Sequence, residues 1–557
     1  MAEIFLQQRS KATWIKLGDD NTKYFFSVIK HRRLQYAITQ LEDKHGVIQH
    51  EQEAIAKIMV DYYTELLGRK QIHRVRAFNS FLKAGRILDI TEQFELIRPY
   101  IENEVKQVMF NIDKNKNPGP DGYGSDFFQA AWGIIGKDVT KAILEFFHIG
   151  KLLKQLNARM ISLIPKITVP QNAGQFRPIS CCNVLYKCIS KFICLRLRRV
   201  VACIVAENQA AFVDGRSLVH NVLICHDILR YYNRKTTPRC LMKIDLRKAY
   251  DMVSWDFIQE ALQGYEFPNS FTSFVMMTYV TTTRYTVKVN GDGFGYFEGR
   301  RGLRQGDPMS PLLFVLVIEY LTRSLNKMSE LSDFRFHLMC KRTKLTQLIF
   351  ADDLMIFCKA HEKSITRVME VLNHFIDATG LVANNDKSSF YCAGWSKVDC
   401  HVLVEKITNR VTTGYSKSLS YAGRLHIIIA VLFSIYNYWG AVFMLSQCIL
   451  KKVDKICRDF LWGCLTNKRK IALVSWDTMC APKKYGGLSI KNNKQWNIAS
   501  VGKLIWQLSK KNDTLWVKWV HGVFMKNQDT NIWEHQVPAD CSWYWKKINT
   551  LKRGMVH

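Results

Sequence analysis

Two adjacent aspartates, Asp352 and Asp353, lie between two short apolar runs and have side chains well suited to chemistry. The runs, residues 348–350 and 354–357, contain residue types typical of β-strands, so we predict a hairpin with both carboxylates at its tip. Burial and mutual repulsion would disfavour the ionised pair, and a divalent metal ion would remove both penalties. Residues 350–353 alone fit a solvated turn equally well.

A third aspartate, Asp245, lies near the end of a predicted strand at residues 241–246. Sites that transfer phosphoryl groups with Mg²⁺ draw carboxylates from separate elements onto two ions. The residues from Arg247 onward indicate a turn into a helix, which places Tyr250 just beyond Asp245 and close enough to pack against a sugar. The order of these features predicts a site for nucleotidyl transfer.

Several segments resemble, in the same order, the motifs of reverse transcriptases from long interspersed (non-LTR) retrotransposons of the kind abundant in plant genomes. Residues 243–251 resemble the first catalytic motif and residues 350–353 the second. Residues 301–312 are similar to the loop and helix that face the template and the incoming nucleotide. The other matching segments are 14–23, 118–122, 176–180 and 380–388. The resemblance covers nearly the whole chain.

The resemblance implies a role for each aspartate and for the nearby tyrosine. Asp245, Asp352 and Asp353 would be the catalytic ligands of two Mg²⁺ ions, with Asp353 the least essential of the three. Tyr250 would crowd a ribose 2′-hydroxyl and so select deoxynucleotides. The alternative for Tyr250 is a structural tyrosine of the core.

Further residues would contact the nucleotide or the template. Gln305 and Gly306 lie in a loop whose glycines allow close approach of the backbone to a nucleotide, and the alternative is a solvated turn. Arg177 and Lys166 are cations suited to triphosphate charge, and Arg177 is preferred because it lies inside a matching motif. Lys387 is either a proton donor to the departing pyrophosphate or a partner in a structural ion pair.

The fold implied by the resemblance is an α+β, right-hand polymerase with fingers, palm and thumb. It divides the chain into a helical N-terminal extension (1–95), a reverse transcriptase domain of fingers and palm (96–395) and a helical thumb and C-terminal region (396–557). The periodicity of the middle of the chain also predicts mixed strands and helices.

Two local patterns outside the catalytic motifs give further predictions. Residues 285–290 and 294–298 predict a hairpin joined at residues 291–293. A predicted helix at 184–200 has a row of basic side chains that form a candidate surface for a nucleic-acid backbone. These are Lys187, Lys191, Arg196, Arg198 and Arg199.

The composition is strongly basic, with 79 Lys and Arg against 48 Asp and Glu and a formal net charge of +31. This excess suits a polyanionic partner that is bound through salt-dependent phosphate contacts, although charge alone does not distinguish nucleic acid from an anionic membrane. By resemblance, the partners would be an RNA template, a DNA primer and deoxynucleoside triphosphates. The location would be intracellular, in the nucleus or cytoplasm, and the oligomeric state is left open.

Cysteine and hydropathy patterns exclude other kinds of site. The 16 cysteines are scattered without a Cys-x-x-Cys pair, so we expect reduced thiols and no zinc site. The N-terminus lacks the apolar core of a signal peptide. The apolar segment 427–445 is about long enough to span a bilayer, but it contains Ser434, Asn437 and Gly440, and we predict a buried helix instead.

The sequence departs from the family pattern after residue 394. The family has a short hairpin there, the primer grip, with a Tyr-Leu-Gly-x-Pro-Leu signature, whereas residues 389–394 continue directly into 395–400 and a helix. We therefore expect a deleted primer grip and weak or absent polymerisation, because small misplacements of a reacting hydroxyl are costly. The endonuclease and the Cys/His-rich region expected of the family are also not recognisable in this sequence.

Two alternative functions remain open. A decayed or repurposed retroelement protein that binds nucleic acid without polymerising is favoured by the missing primer grip and opposed by the intact aspartates and Gln305. A relative of group II intron maturases would share the central motifs. The segments 14–22 and 118–122 disfavour that relative.

Overall fold

The computed structural model describes residues 36–71, 73–229, 239–279, 283–384, 387–391, 421–433, 447–462, 474–525, 532–535 and 541–555, with isolated residues outside these ranges. The chain forms two compact units. The sheet unit comprises Tyr36–Leu218 and Thr236–Cys392. The helical unit comprises Met1–Gln35, Val219–Lys235 and Ala393–His557.

The described strands all lie in the sheet unit, and most described helices of the helical unit follow them in sequence. The strands are β1 (Leu41–Glu42), β2 (Ile48–Gln49), β3 (Ala158–Pro165), β4 (Phe176–Cys182), β5 (Arg239–Arg247), β6 (Arg284–Val289), β7 (Asp292–Glu298), β8 (Gln347–Phe350), β9 (Asp353–Lys359), β10 (Val382–Ala383) and β11 (Ser389–Tyr391). The helices are α1 (Gln52–Gly68), α2 (Asn79–Leu82), α3 (Ile90–Ile97), α4 (Glu102–Phe110), α5 (Ser125–Ala130), α6 (Trp132–Ile149), α7 (Val184–Ile204), α8 (Leu218–Leu229), α9 (Ala249–Met252), α10 (Trp255–Gly264), α11 (Asn269–Tyr279), α12 (Ser310–Met328), α13 (Glu362–Thr379), α14 (Tyr421–Ile427), α15 (Gln447–Leu461), α16 (Trp476–Cys480), α17 (Asn493–Ser509), α18 (Leu515–Val523) and α19 (Trp543–Met555). The predicted mixture of helix and strand is confirmed.

A five-stranded antiparallel sheet forms the centre of the sheet unit. Its order is β10-β5-β9-β8, and β11 also pairs with β5. Met242, Ile244 and Leu246 of β5 are buried in the main apolar core. Because side chains alternate along a strand, Asp245 lies on the opposite face from these three residues.

A second sheet has the order β4-β3-β6-β7, with a parallel pair between β3 and β6. The predicted β6–β7 hairpin is confirmed, but its turn is formed by Asn290 and Gly291, not by residues 291–293. Both turn residues have positive φ angles, 51° and 116°, as two-residue hairpin turns of the primed type require. Asp292 already pairs with Val289 in the ladder, so it belongs to the strand.

Helix α12 lies inside the main core and is buried on all sides along most of its length. Two charged side chains on this helix, Glu319 and Arg323, are also buried and form an ion pair at 3.0 Å. Arg323 donates a further hydrogen bond to the carbonyl of Ile204 at 3.2 Å. Pairing removes the large cost of an isolated buried charge, which explains how the helix accommodates both residues.

The basic side chains of α7 make contacts within the sheet unit. Arg196 is buried, donates to the carbonyl of Leu96 at 3.0 Å and stacks over the ring of Tyr100. Arg198 forms an ion pair with Asp214. The prediction of a nucleic-acid surface is therefore wrong for Arg196. Helical spacing alone could not reveal that another segment packs over this part of α7.

The helical unit contains α14–α19 and nearly all of α8, with a π-helical segment at Ile428–Leu432. Ile428 and Leu432 are buried in an apolar cluster with Val453 and Phe460 of α15. These described residues of the apolar segment 427–445 therefore pack in a protein core, as predicted. Among the helices that the structure describes, none combines the length and apolar content needed to cross a bilayer.

Candidate active site

Strand pairing brings the three predicted metal ligands to one end of the central sheet. Asp245 of β5 and Asp353 of β9 are directly opposite each other in the antiparallel ladder. Ala351 and Asp352 form the two-residue turn that joins β8 to β9, and Phe350 pairs with Asp353 across it. The hairpin predicted from the apolar runs on either side of the two aspartates is confirmed.

The tip of the β8–β9 hairpin is held by residues that precede β5 in the sequence. Ala351 in the turn has a φ angle of 56°, a conformation that costs a residue other than glycine about 1 to 3 kcal/mol. Its N–H donates to Gln209 Oε1 at 3.3 Å, and the N–H of Ala210 donates to the carbonyl of Ile349 at 3.1 Å. These hydrogen bonds stabilise the turn that contains Asp352, although the φ angle of Ala351 is unfavourable.

A cleft of about 1780 Å³ opens at this end of the sheet. The predicted site residues in its lining are Asp245, Asp352, Tyr250, Arg177, Gln305, Gly306 and Lys387. Lys166 lines it as well. Asp353 is exposed and lies outside the lining, although its backbone faces Asp245 across the ladder.

Like charges surround the Asp352 carboxylate. Withdrawal from water in the cleft raises the pKa of its carboxyl group, Asp353 and Asp245 raise it further, and Arg177 lowers it. A bound cation would relieve this repulsion on the Asp352 carboxylate.

Asn384 holds the carboxylate of Asp245. Its side-chain Nδ2 donates to Asp245 Oδ2 at 3.0 Å, and its backbone N–H donates to the carbonyl of Asp245 at 2.8 Å. The N–H of Asp245 donates to Ser388 Oγ at 3.2 Å. The sequence indicated no role for Asn384, because an asparagine in a polar turn gives no signal of its partner.

The three aspartates supply the type of donor atom that a hard divalent cation prefers. Carboxylate oxygens are preferred ligands of such ions, and two of these aspartates come from paired strands that fix their backbones. Within the described ranges, however, no three His, Cys, Asp or Glu side chains are grouped as a complete metal centre. The backbone therefore brings the aspartates near one another, but their carboxylates do not converge on one point.

Three cations, Lys166, Arg177 and Lys387, line the cleft. Burial lowers the pKa of the Lys166 ammonium, the charge of Asp251 raises it, and the charges of Arg177 and Lys387 lower it. Arg177 and Lys387 are exposed, and Lys166 donates to the carbonyl of Gly174 at 3.0 Å. Concentrated positive charge beside carboxylates suits a polyphosphate that arrives with metal ions.

Tyr250 lies between the core and the cleft. Its ring stacks on Phe314 with a centroid distance of 4.7 Å and an interplanar angle of 17°. Burial and the negative charge of Asp352 both raise the pKa of its hydroxyl group. Packing against Phe314 fixes the ring, and the rest of the side chain remains part of the cleft wall.

Backbone hydrogen bonds hold the loop at residues 302–307, which carries Gln305 and Gly306. The N–H of Gly302 donates to the carbonyl of Val253 at 2.8 Å, and that of Leu303 donates to the carbonyl of Tyr250 at 2.6 Å. Gly302 has a φ angle of 92°, and a Cβ there would lie 2.7 Å from the carbonyl oxygen of Asp251. Glycine is therefore required for this close approach.

A buried polar network lies beneath the same loop. The side chains of Arg304 and Asp307 are fully buried, with a nitrogen–oxygen distance of 3.8 Å. Asp307 accepts hydrogen bonds from the hydroxyls of Tyr186 and Ser190. Because the residues on either side of Gln305 and Gly306 are anchored, the backbone of the loop has a defined position at the cleft.

The N-terminal part of the sheet unit also lines the cleft, which the sequence analysis did not predict. Lys57 and Tyr62 of α1 are in the lining, as are residues of the β1–β2 hairpin. Lys248 donates to the hydroxyl of Tyr62 and lies 4.3 Å from the centre of its ring. Helix α1 gave no local signal, because its contribution depends on how it packs against the second sheet.

Asp251, next to Tyr250, is a further residue whose importance the sequence did not reveal. It is buried and accepts a hydrogen bond from Gln305 Nε2 at 3.1 Å. Burial raises the pKa of its carboxyl group to about 6, although Gln305 and the charges of Lys248 and Lys166 lower it. Its carboxylate is therefore ionised at neutral pH only at a cost in stability.

We expect Asp251→Asn to raise the free energy of unfolding at pH 8 by about 1 to 3 kcal/mol. The folded carboxyl group has a pKa of about 6 and the ordinary value is 3.8, so the folded state binds the proton more strongly. The stability difference should therefore grow as pH rises from 4 to 6 and stay constant above that range. Urea unfolding at pH 4.5 and pH 8 measures it, and a destabilised variant at pH 8 would contradict it.

Comparison with known proteins identifies the family of the cleft-bearing segment. Residues 164–423 match the family described as reverse transcriptase (RNA-dependent DNA polymerase). The chain is 27% identical to the transposon TX1 uncharacterized 149 kDa protein of Xenopus laevis over 80% of this chain and 36% of that protein. It is 26% identical to a retrovirus-related Pol polyprotein from a type-2 retrotransposable element of Drosophila melanogaster, over 67% of this chain and 34% of that protein.

A shorter similarity links the chain to a plant protein. A stretch of 114 residues is 38% identical to a putative ribonuclease H protein of Arabidopsis thaliana and covers 20% of this chain and 18% of that protein. The chain spans about a third of the length of the Xenopus and Drosophila relatives.

The aspartate-bearing sheet, its cleft and the family match define a reverse transcriptase domain. The similarity to retrotransposon proteins supports the prediction that this domain resembles reverse transcriptases of the LINE, or non-LTR, type. Reverse transcriptases use divalent metal ions and bind a nucleic-acid template and primer. The plant-like character stays a prediction, and the predicted primer-grip deletion, after residue 394, lies outside the described residues.

Proposed function

We propose that this chain is an RNA-directed DNA polymerase that joins deoxynucleotides to a primer 3′-hydroxyl on an RNA template. The observation that carries the proposal is that Asp245 of β5 and Asp352 of the β8–β9 turn line one cleft together with Tyr250 and Gln305. The formal net charge of +31 suits the polyanionic template and primer.

Asp245, Asp352 and Asp353 would hold two Mg²⁺ ions, which prefer carboxylate oxygens. When bound, such ions activate the attacking 3′-hydroxyl and neutralise charge on the leaving pyrophosphate. Asn384 keeps Asp245 oriented for this role through its hydrogen bond to Oδ2. No zinc is part of the proposal.

The cations of the cleft would bind and orient the triphosphate. Arg177 offers a planar fork that matches phosphate oxygens, and Lys166 adds a point charge beside it. Lys387 would donate a proton to the departing pyrophosphate, and a structural ion pair is its alternative role. Gln305 and Gly306 would contact the nucleotide and the template, because their loop lies in the cleft wall.

The architecture that accompanies this function is the right-hand polymerase. We assign the central sheet to the palm and the second sheet to the fingers, within a domain at residues 96–395. Residues 1–95 form the N-terminal extension and residues 396–557 the thumb and C-terminal region. Partners would be RNA, a DNA primer and deoxynucleoside triphosphates, in the nucleus or cytoplasm.

Incorporation of dTTP on oligo(dT)-primed poly(rA) with Mg²⁺ tests the proposal. Incorporation by the full chain that is lost in Asp352→Ala would support a working polymerase and would contradict the expected weakness of primer placement. A folded chain that binds RNA in a salt-sensitive manner but incorporates nothing would favour the alternative function, a nucleic-acid-binding retroelement protein without polymerase activity. Restoring the missing primer-grip hairpin would then be the next test.

We expect Tyr250→Ala to reduce discrimination against ribonucleotides by about 10- to 100-fold, because the ring would no longer crowd a 2′-hydroxyl. The ratio of kcat/KM for dTTP and UTP measures this. Tyr250→Phe is the matched control, since it keeps the ring and its packing on Phe314, and it should retain discrimination. Loss of stability with unchanged discrimination would show that Tyr250 is only a core residue.

A further inference from the structure

The hydrogen bond between Asp251 and Gln305 determines which end of the Gln305 amide is available to a ligand. Gln305 Nε2 lies 3.1 Å from Asp251 Oδ1, and both residues line the cleft. An ionised carboxylate can only accept hydrogen bonds, so the amide nitrogen must be the group that faces it. The amide oxygen of Gln305 is then the end left to accept a hydrogen bond.

Asp251 is not needed to attach the loop that carries Gln305. Backbone hydrogen bonds from Gly302 to Val253 and from Leu303 to Tyr250 already join the two segments. Arg304 on the same loop is anchored separately, by donating to the carbonyl of Thr278 at 2.9 Å. The carboxylate of Asp251 therefore has a contact with Gln305 that loop attachment does not explain.

Burial makes the ionised form of Asp251 unfavourable for folding. It also raises the pKa of the carboxyl group to about 6, so the group changes its protonation state just below neutral pH. The charged and titratable groups that face it are Lys248 on its own segment, Lys166 at the end of β3 and Tyr63 on α1. Tyr63 is buried and neutral, and the two lysines offset the burial of the carboxylate only in part. Groups that are retained at a cost to stability are concentrated at functional sites.

We propose that Asp251 is a positioning residue that orients the Gln305 amide so that its oxygen accepts a hydrogen bond from the incoming nucleotide. This inference rests on the proposed function, because it assumes that a nucleotide occupies the cleft. Protonation of Asp251 gives it a donor, which allows the amide to turn and present its nitrogen instead. Orientation is therefore secure above the range in which Asp251 titrates and is lost below it.

Binding of base-labelled dTTP to the full chain tests this, with Mg²⁺ and an oligo(dT)–poly(rA) duplex ended by a dideoxynucleotide so that no transfer occurs. We expect Asp251→Asn to weaken binding roughly tenfold at pH 8, because a charge-assisted orientation is lost. The ratio of the two affinities should approach one by pH 5, where the wild-type side chain is also neutral. The comparison cancels titration of the nucleotide phosphates, which is the same for both proteins.

A second variant separates positioning from a structural role. Gln305→Ala should weaken binding by a similar factor, and the double variant Asp251→Asn/Gln305→Ala should lose no more than Gln305→Ala alone. Asp251→Asn should be more stable than the wild type at pH 8, so weaker binding could not result from unfolding. Equal affinities of Asp251→Asn and wild type at pH 8, or additive losses in the double variant, would overturn the inference.

The proposed function and this inference fail in distinguishable ways. If the wild type binds dTTP with the expected dependence on Asp251 but incorporates no nucleotide, the polymerase proposal fails and the positioning role stands. If it incorporates nucleotide but Asp251→Asn binds normally, only the positioning role fails. A folded wild type that binds no dTTP overturns the positioning role, whatever incorporation shows.

Discussion

Asp352→Ala is expected to lower nucleotide incorporation by at least about a thousandfold, which corresponds to several kcal/mol of lost metal-dependent stabilisation of the transition state. The carboxylate lies in the cleft wall, and its pKa is sensitive to both of the other aspartates. Removing it would take away one oxygen ligand of the proposed metal site. Single-turnover incorporation on oligo(dT)–poly(rA) measures the loss.

Two further variants show whether the loss is specific to Asp352. Asp353→Asn should lose less than Asp352→Ala, because Asp353 lies outside the lining of the cleft. Asp126→Asn, at an exposed position on α5, should retain wild-type incorporation and controls for the removal of a negative charge. An active Asp352→Ala protein, or equal losses at Asp352 and Asp126, would remove the basis for placing the metal ligands here.

Asp307→Ala is expected to lower the free energy of unfolding by about 3 to 5 kcal/mol. It would leave the fully buried Arg304 without its opposite charge and would remove the acceptor of the Tyr186 and Ser190 hydroxyls. A large part of this cost is desolvation of an unpaired cation, which no water reaches. Urea unfolding of the full chain, followed by tryptophan fluorescence, measures the change.

Asp307→Asn separates charge from shape in the same network. It keeps the size of the side chain and one of its two oxygen acceptors, but it loses the negative charge and places an amide donor where the other oxygen accepted a hydroxyl. We expect a smaller destabilisation than in Asp307→Ala, because no cavity forms and one acceptor remains. If both variants unfolded at the wild-type urea concentration, Arg304 would not depend on Asp307. The position of the Gln305 loop would then have to be attributed to its backbone hydrogen bonds alone.

Local patterns were sufficient to predict the elements that carry the aspartates. The apolar runs on either side of Asp352 and Asp353 predicted a hairpin, and the apolar run before Asp245 predicted a strand, because both depend on burial of a local segment. The pairing of Asp245 with Asp353 could be predicted only through family resemblance. Nothing local to either segment specifies their register.

Contacts between distant segments were the part that the sequence did not reveal. The hydrogen bond from Gln305 to Asp251 depends on how two loops lie against each other. In the sequence, neither residue differs from the many polar residues that are exposed to solvent. Arg196 looked like an exposed helical cation, yet it is covered by the segment that contains Leu96. The contacts of such polar side chains depend on tertiary packing, which a local stretch of sequence does not specify. Apolar periodicity, in contrast, reflects the local secondary structure.

The order of strands in the central sheet has a consequence for biosynthesis. β5 and β9, which bring Asp245 beside Asp353, are separated in sequence by the β6–β7 hairpin and α12. The chain entropy of closing such a large loop must be overcome before pairing contributes any stability, so folding should be slow. During translation, this edge of β5 therefore remains unpaired until β9 has emerged from the ribosome. Chains that stop before β9 should aggregate instead of accumulating as partly active fragments.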